Sequence, residues 1–264
     1  LGLEVAAQNG RVLLYTPELS DKQIKRWISR QMLGRKFDDK IYQWYDELEE
    51  ENKTEIKKEF TDKMSKWLDK KFNIISSKCK KTQKEMLQSI VRDIKKYGSD
   101  FIIIDNLMKL IFENEKDIYE EQKNFLNELS EIAKTYNVSI NLVAHPKKHD
   151  IDFPDQYDVA GTSNMPNLVD NIFYFRRITE ENLTRKTCPF KDKKEEIEKN
   201  GVSAAMISLK SREGKSIGKW ELFNFDIARK RFNFYNDKVK FCDNWEQQLE
   251  ESEEEAFFKL MEEF

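Results

Sequence analysis

Phe-Ile-Ile-Ile-Asp-Asn, residues 101–106, is the stretch of sequence that decides the fold. Its four large apolar residues are too few for a helix, and they predict a strand buried on both faces of a parallel sheet. The strand ends in Asp105, at the edge where open α/β sheets bind their ligands. An aspartate there either holds Mg²⁺ on a nucleoside triphosphate or caps the next helix, and this stretch alone does not decide between the two.

Length and composition suit a folded α/β protein. The 264 residues can form one large domain or two small ones, and 39% hydrophobic residues can build a core. The net charge of −3 excludes a global basic signature for nucleic acid, so such binding has to come from a local patch. Three widely spaced cysteines indicate neither a disulfide framework nor a zinc site, and we expect a reducing cytosol. No apolar run is long enough to cross a membrane, so no membrane partner is expected.

Hydrophobic periodicity predicts strands and helices in alternation. The predicted strands are 11–15, 72–75, 101–104, 139–144 and 172–176, and the predicted helices are 1–8, 22–33, 82–97 and 119–136, with a charged helical stretch over 39–71. We predict a polar loop at 150–171, an exposed charged insertion at 186–201, and antiparallel strands at 202–210, 220–225 and 231–235. This order gives an α/β fold, a mostly parallel sheet flanked by helices with antiparallel C-terminal edge strands.

Two further polar residues follow predicted strands, namely Glu18 and His145. Because the carboxyl ends of parallel strands lie along one edge of a sheet, we expect Glu18, Asp105 and His145 to share a rim. The trio suggests a mechanism with one carboxylate to polarise a water, one to hold Mg²⁺, and a neutral donor that senses a γ-phosphate. His145 and His149 have the spacing of a helical zinc pair, but Pro146 breaks the helix that such a pair requires.

Five segments in order form a recognisable pattern. They read Leu-Leu-Tyr-Thr-Pro-Glu (13–18), Ile-Ile-Ile-Asp-Asn (102–106), Leu-Val-Ala-His-Pro-Lys-Lys (142–148), Val-Ala-Gly-Thr-Ser-Asn (159–164) with Leu-Val-Asp-Asn (168–171), and Lys-Ser-Arg-Glu-Gly (210–214). In this order they resemble the motifs of the RecA-type motor domain of DnaB-like replicative helicases, in particular the phage primase-helicase and Twinkle branch. The resemblance implies a RecA-like P-loop NTPase core over residues 1–236, followed by an acidic tail, 237–264.

The resemblance implies a catalytic role for five residues. Glu18 resembles the glutamate that activates the attacking water, Asp105 the Walker B aspartate that holds the metal, and His145 the γ-phosphate sensor. Lys210 and Arg212 look like the basic pair that reaches into the nucleotide of a neighbouring subunit as an arginine finger. Such a finger makes catalysis a property of a ring.

Nucleotide-base and DNA contacts are implied as well. Tyr235 is a candidate to stack on the nucleotide base, and a plain place in the core is the open alternative. The residues that match the channel-lining, single-strand-binding region are Lys147, Lys148, Gly161, Thr162, Ser163 and Asn164. For the two lysines a solvated turn stays open, and Asp158-Val159-Ala160 lacks the arginine that many relatives carry before the channel-loop glycine.

The phosphate-binding loop is the main departure from the family pattern. No G-x-x-x-x-G-K-[ST] occurs in the chain. Gly214-Lys215-Ser216 is not such a loop, since Leu209 stands where its first glycine should be. The simplest account is a sequence that starts just after the Walker A segment, and such a fragment is expected to be inactive alone.

The resemblance implies an ATP- and Mg²⁺-dependent 5′-to-3′ DNA helicase that forms a hexameric or heptameric ring. It would couple ATP hydrolysis to translocation on single-stranded DNA in the cytoplasm of a bacterial or phage-infected cell. Two alternatives stay open: a RecA-class ATPase with a non-helicase role, and a non-catalytic scaffold without a P-loop.

Charge is unevenly distributed along the chain. Residues 246–264 hold eight glutamates and one lysine, which gives −7 and leaves residues 1–245 at +4. The acidic tail is either an amphipathic helix packed on the motor or an extended arm, and self-repulsion along 250–255 favours the arm. An arm would present its apolar residues to a primase, a polymerase or another replisome protein.

Overall fold

The computed structural model describes residues 1–32, 62, 65–75, 78, 81–110, 117–147, 155–159, 165–185, 188, 190–214, 217–227 and 231–235. The predicted charged helix over 39–71 falls mostly outside these residues, although 65–71 are helical. The acidic tail, 237–264, also lies outside them. None of the helices in the described ranges is long and apolar enough to cross a membrane.

A four-stranded parallel sheet forms the first part of the fold. Its strands are β1 (Val12–Tyr15), β2 (Phe72–Ile75), β3 (Phe101–Ile104) and β4 (Ser139–Leu142), in the order β2-β1-β3-β4. In this register Tyr15 lies opposite Ile104, and Ile104 lies opposite Leu142. The central strands therefore end at the same level. The predicted burial of β3 on both faces is complete on one face only, because Ile102 and Ile104 are fully buried whereas Phe101 and Ile103 are half-buried.

Helices cover both faces of this sheet. They are α1 (Gly2–Ala7), α2 (Asp21–Met32), α3 (Gln83–Tyr97) and α4 (Ile118–Tyr136). One core joins α3 and α4 to the faces of β1 and β3 that carry Tyr15 and Ile104. The other core joins α1 and α2 to the opposite face, through Ala6, Val12 and Ile24. The predicted layers of an α/β fold are thus confirmed.

The boundaries of α3 follow from its terminal residues. The Thr82 hydroxyl accepts from the Glu85 amide at 3.3 Å, and the Glu85 carboxylate accepts from the Thr82 amide at 2.9 Å. This capping box satisfies two amides that the first turn leaves without partners. The helix ends at Gly98, whose φ of 71° lies in the left-handed region that glycine tolerates best.

A second sheet of four antiparallel strands follows. The strands are β5 (Asn171–Arg177), β6 (Ala204–Ser211), β7 (Trp220–Asp226) and β8 (Arg231–Phe234), in that spatial order. The antiparallel C-terminal strands are confirmed, but they do not extend the parallel sheet among the described residues, and β5 pairs with them. Exposed and half-buried residues alternate along β5, the pattern of an antiparallel strand with one face toward solvent.

The charged residues of the predicted exposed insertion over 186–201 are mostly exposed where the structure describes them, but the segment also packs an apolar side against the second sheet. Together with α6 (Glu180–Thr184), the short helix α7 (Lys194–Lys199) covers one face of the second sheet. Cys188, Phe190 and Ile197 are buried against β6 and β7. The charged residues of the segment lie on its outer surface, and a small apolar side faces the sheet.

The predicted loop 150–171 contains two short elements in its described part. They are a 3₁₀ turn, Gln156–Asp158, and a short helix, α5 (Met165–Leu168).

An ion pair connects the second sheet to the first part of the fold. Arg231 begins β8, and its Nη2 donates to Oε1 of Glu4 in α1 at 2.9 Å. The two side chains are only 13% and 18% exposed. The pair therefore lies in a largely desolvated contact between segments that are far apart in the sequence.

Candidate functional site

The carboxyl ends of β1, β3 and β4 are fastened together by backbone hydrogen bonds. The Asp105 amide donates to the Tyr15 carbonyl at 2.8 Å, and the Val143 amide donates to the Ile104 carbonyl at 2.9 Å. Beyond the strand, the Leu107 amide donates to the Val143 carbonyl at 3.1 Å. The polar residues that follow the three strands are thus held at one edge of the sheet.

Asn106 lies at the centre of this edge. Its Nδ2 is 3.2 Å from Oε1 of Glu18 and 3.2 Å from Nε2 of His145. Asn106 is fully buried, whereas Glu18 and His145 are exposed. The structure therefore brings Glu18, Asp105 and His145 together as predicted, around a residue to which the sequence reasoning gave no role. The feature of the sequence that could have indicated this residue is its position directly after Asp105, which follows β3.

Electrostatics at this edge concern the two carboxylates. Burial, and then the negative charge of Glu18, raise the pKa of Asp105 above its usual range, while the Thr16 hydroxyl and His145 offset part of that rise. Lys109, which was not predicted, brings its Nζ to 3.5 Å from Oε1 of Glu18. Two neighbouring carboxylates that repel each other form an environment that a divalent cation would relieve.

The basic pair Lys210 and Arg212 lies elsewhere. Lys210 Nζ donates to the carbonyls of Pro166 and, at 2.7 Å, of Val169. Arg212 Nε lies 2.8 Å from Oδ1 of Asp170, and the Arg212 side chain is 60% exposed. In the described part of the chain no hydrogen bond or ion pair joins this pair to Glu18, Asp105 or His145.

Lys147 is engaged within its own chain. Its Nζ donates to the Tyr157 carbonyl at 2.6 Å, and its amide donates to the Asp158 carbonyl at 2.6 Å. These bonds tie residues 155–159 to the segment after β4. The other candidate DNA-binding residues, Lys148, Gly161, Thr162, Ser163 and Asn164, lie outside the described residues.

Tyr235 follows β8 and packs against the core on the covered face of the second sheet. Its hydroxyl donates to Oε1 of Glu196 in α7 at 2.5 Å, and this hydrogen bond raises the pKa of Tyr235. This position agrees with the alternative that Tyr235 is a core aromatic residue, and base stacking by Tyr235 stays a prediction.

No group of three or more His, Cys, Asp or Glu side chains that could hold a metal ion occurs in the described ranges. Asp105 and the neighbouring Glu18 offer two carboxylates, and one or two carboxylates are what a protein usually contributes to Mg²⁺ when phosphate oxygens and water complete its shell.

Comparisons with known proteins agree with this architecture. A DnaB-like replicative helicase, described with its interactions with primase, has a TM-score of 0.60 at 14% identity over 86% of this chain, and this chain spans about half (51%) of that one. A second solved structure, described as an ATPase domain, has a TM-score of 0.58 at 14% identity, over 87% of this chain and 80% of that chain. At such identities the likeness shows the fold, which is that of a RecA-type motor domain. A search of curated protein sequences gives no match. A family model described as an AAA domain matches residues 1–150, more than half of the sequence, and the chain therefore belongs to the AAA domain family.

Proposed function

We propose that this chain is part of the motor of a ring-shaped replicative helicase, which hydrolyses ATP to move along single-stranded DNA. The observation that carries this proposal is the cluster at the ends of β1, β3 and β4, where Glu18, Asp105 and His145 meet around Asn106. A base, a metal ligand and a neutral donor are the groups that phosphoryl transfer to water requires.

Glu18 is the proposed general base. Its carboxylate is 43% exposed, so water can reach it, and Asn106 and Lys109 hold one of its oxygens. Asp105 is the proposed ligand of Mg²⁺, and its half-buried carboxylate next to Glu18 fits a cation. The chemistry that bound Mg²⁺ supplies is neutralisation of charge on the β- and γ-phosphates. His145 is the proposed γ-phosphate sensor.

Arg212 is the proposed residue that acts across a subunit interface. Its ion pair with Asp170 joins side chains that are 60% and 53% exposed, and such pairs are worth only about 0–1 kcal/mol. Releasing Arg212 toward a neighbouring nucleotide therefore costs little. Lys210 donates to two carbonyls in the segment before β5. It therefore positions that segment, which includes Asp170, the partner of Arg212.

The remaining partners are also proposals. Single-stranded DNA would contact Lys147, Lys148 and residues 161–164, and the ring would be a hexamer or heptamer of this chain in the cytoplasm. The acidic tail would dock a primase, polymerase or other replisome protein. A Walker A segment would supply the phosphate cradle, for which the 264 residues contain no matching motif.

Glu18→Gln tests the proposed chemistry in a longer chain in which a Walker A segment precedes Leu1. The variant should bind ATP while its turnover falls by about two to four decades, because the general base is lost. Glu120→Gln is the matched control. It makes the same change of glutamate to glutamine at an exposed residue that pairs with Lys123, away from the site. Near-normal turnover by Glu18→Gln would contradict the assignment.

A strand-displacement assay on forked DNA tests the wider proposal. ATP-dependent unwinding supports a helicase. Hydrolysis without unwinding would indicate an ATPase with another task, and absence of nucleotide binding would indicate a scaffold.

A further inference from the structure

The side chain of Asn106 does not perform the usual task of an asparagine in its position. Asn106 is the N-cap of the 3₁₀ turn Leu107–Lys109, where asparagine normally accepts a hydrogen bond from the first turn. Its side chain makes no such bond, and among the described residues its buried Oδ1 has no hydrogen-bond partner. A buried acceptor without a partner costs about 1–3 kcal/mol. Local folding therefore does not account for this orientation of the amide.

The contacts of Nδ2 do account for it. An amide nitrogen carries two hydrogens and no acceptor, and Nδ2 lies 3.2 Å from both Glu18 Oε1 and His145 Nε2. A carboxylate oxygen accepts one hydrogen. The other has to go to an unprotonated Nε2, so the neutral imidazole of His145 carries its proton on Nδ1.

The opposite orientation of the amide is disfavoured by Glu18. A rotated amide would place Oδ1 against the carboxylate oxygen, which has only lone pairs to offer. Lys109, whose Nζ is 3.5 Å from the same oxygen, helps to keep that oxygen in place. Glu18 thus selects the orientation of Asn106, and Asn106 selects the tautomer of His145.

We propose that Asn106 is a positioning residue that couples Glu18 to His145 and fixes His145 as its Nδ1-protonated tautomer. This inference rests on the proposed function in assigning the two ends to a general base and a phosphate sensor. In this tautomer the Nδ1–H of His145 stays available to donate a hydrogen bond to a terminal phosphate. A change of tautomer would break the bond from Asn106 to His145. The charged groups around this arrangement are Asp105, Glu18 and Lys109.

Imidazole nitrogen NMR tests the coupling directly in this chain, which has two histidines, His145 and His149. Long-range ¹H–¹⁵N correlation at about pH 8, above the usual imidazole pKa of about 6.5, distinguishes the two neutral tautomers. We expect His145 to be predominantly Nδ1-protonated, with His149 as a reference in the same spectrum. Asn106→Leu should convert His145 to a mixture of tautomers. Asn106→Asp, which replaces the donor by an acceptor, should shift His145 toward Nε2–H.

Asn141→Leu is the matched control. Asn141 lies on β4 and donates to Ser139 at 3.2 Å, so its loss should leave the tautomer of His145 unchanged. If Asn106→Leu does not fold in a thermal melt, Glu18→Gln takes its place, because a neutral amide at residue 18 accepts either orientation of Asn106 and should also give a mixture.

His145 that stays Nδ1-protonated in the folded Asn106 and Glu18 variants would overturn the inference and leave the proposed function standing. The measurement requires no nucleotide. If the protein did not bind nucleotide, the proposed role of His145 as a phosphate sensor would fail, but the change of tautomer in the variants would still be seen.

Discussion

Arg231→Ala tests how strongly the two sheets depend on one contact. Arg231 and Glu4 are only 13% and 18% exposed and meet at 2.9 Å, so removing the guanidinium leaves a carboxylate in a largely desolvated place. Breaking a buried pair in this way costs about 3–5 kcal/mol. Because a little of each side chain reaches water, we expect the lower end, about 3 kcal/mol. Domains have only about 5–15 kcal/mol of stability in total, so the effect should be large.

Urea unfolding, followed by tryptophan fluorescence and circular dichroism, measures this loss. Lys25→Ala is the control, because Lys25 pairs with Asp69 at 3.2 Å with side chains 49% and 68% exposed, and such a pair contributes less than about 1 kcal/mol. Replacing Arg231 and Glu4 together by leucine should cost less than Arg231→Ala alone, since the Glu4 carboxylate is then not left behind without the guanidinium. An Arg231→Ala loss no larger than that of Lys25→Ala would refute the reasoning.

Two further predictions concern the proposed site. Asp105→Asn should raise the melting temperature at neutral pH, because the pKa of Asp105 is raised above 3.8 and its ionisation therefore destabilises the folded state. The gain should shrink as the pH falls through the raised pKa and vanish below 3.8, where the carboxyl is protonated in both states; a lower or unchanged melting temperature at neutral pH would contradict this. Lys147→Ala with Lys148→Ala should lower the salt slope of single-strand binding by up to roughly 1.4, at about 0.7 per phosphate contact, measured by anisotropy of a labelled oligonucleotide. An unchanged slope would contradict a phosphate contact by either lysine and would leave Lys147 with its bond to the Tyr157 carbonyl.

The positions of the site residues were predictable where each depends on one strand. The apolar runs and their alternation with helices predict parallel strands, and the carboxyl ends of parallel strands share one edge, which is where Glu18, Asp105 and His145 lie. The role of Asn106 was not predictable in this way. Its partners lie 88 and 39 residues away in sequence, and the direction of an amide depends on what those partners accept.

The second sheet shows another limit of sequence patterns. The apolar run Ile172–Phe175 predicts the strand β5 but not the sheet that it joins, because the sequence of a strand does not define its neighbours. The buried Phe190 and Ile197 lie among charged residues, so charge density alone placed their segment on the surface. In both cases long-range packing decided the structure, and local composition did not.

Two buried polar groups in this fold differ in how well they are satisfied, and the difference indicates where function lies. Asp93 in α3 is 3% exposed, and both of its oxygens accept hydrogen bonds, from Asn73 and Ser99. It obeys the rule that buried polar groups are paired. At the carboxyl ends of the strands the buried Oδ1 of Asn106 breaks this rule, since it has no hydrogen-bond partner, and burial beside Glu18 raises the pKa of Asp105. Proteins commonly break such local rules at functional sites. Unpartnered buried groups also occur away from this edge, at Nε of Arg11 and Nε1 of Trp67. What distinguishes the carboxyl ends of the strands is that the unpartnered amide oxygen and the raised pKa of Asp105 lie together, beside Glu18 and His145, where the proposed chemistry requires them.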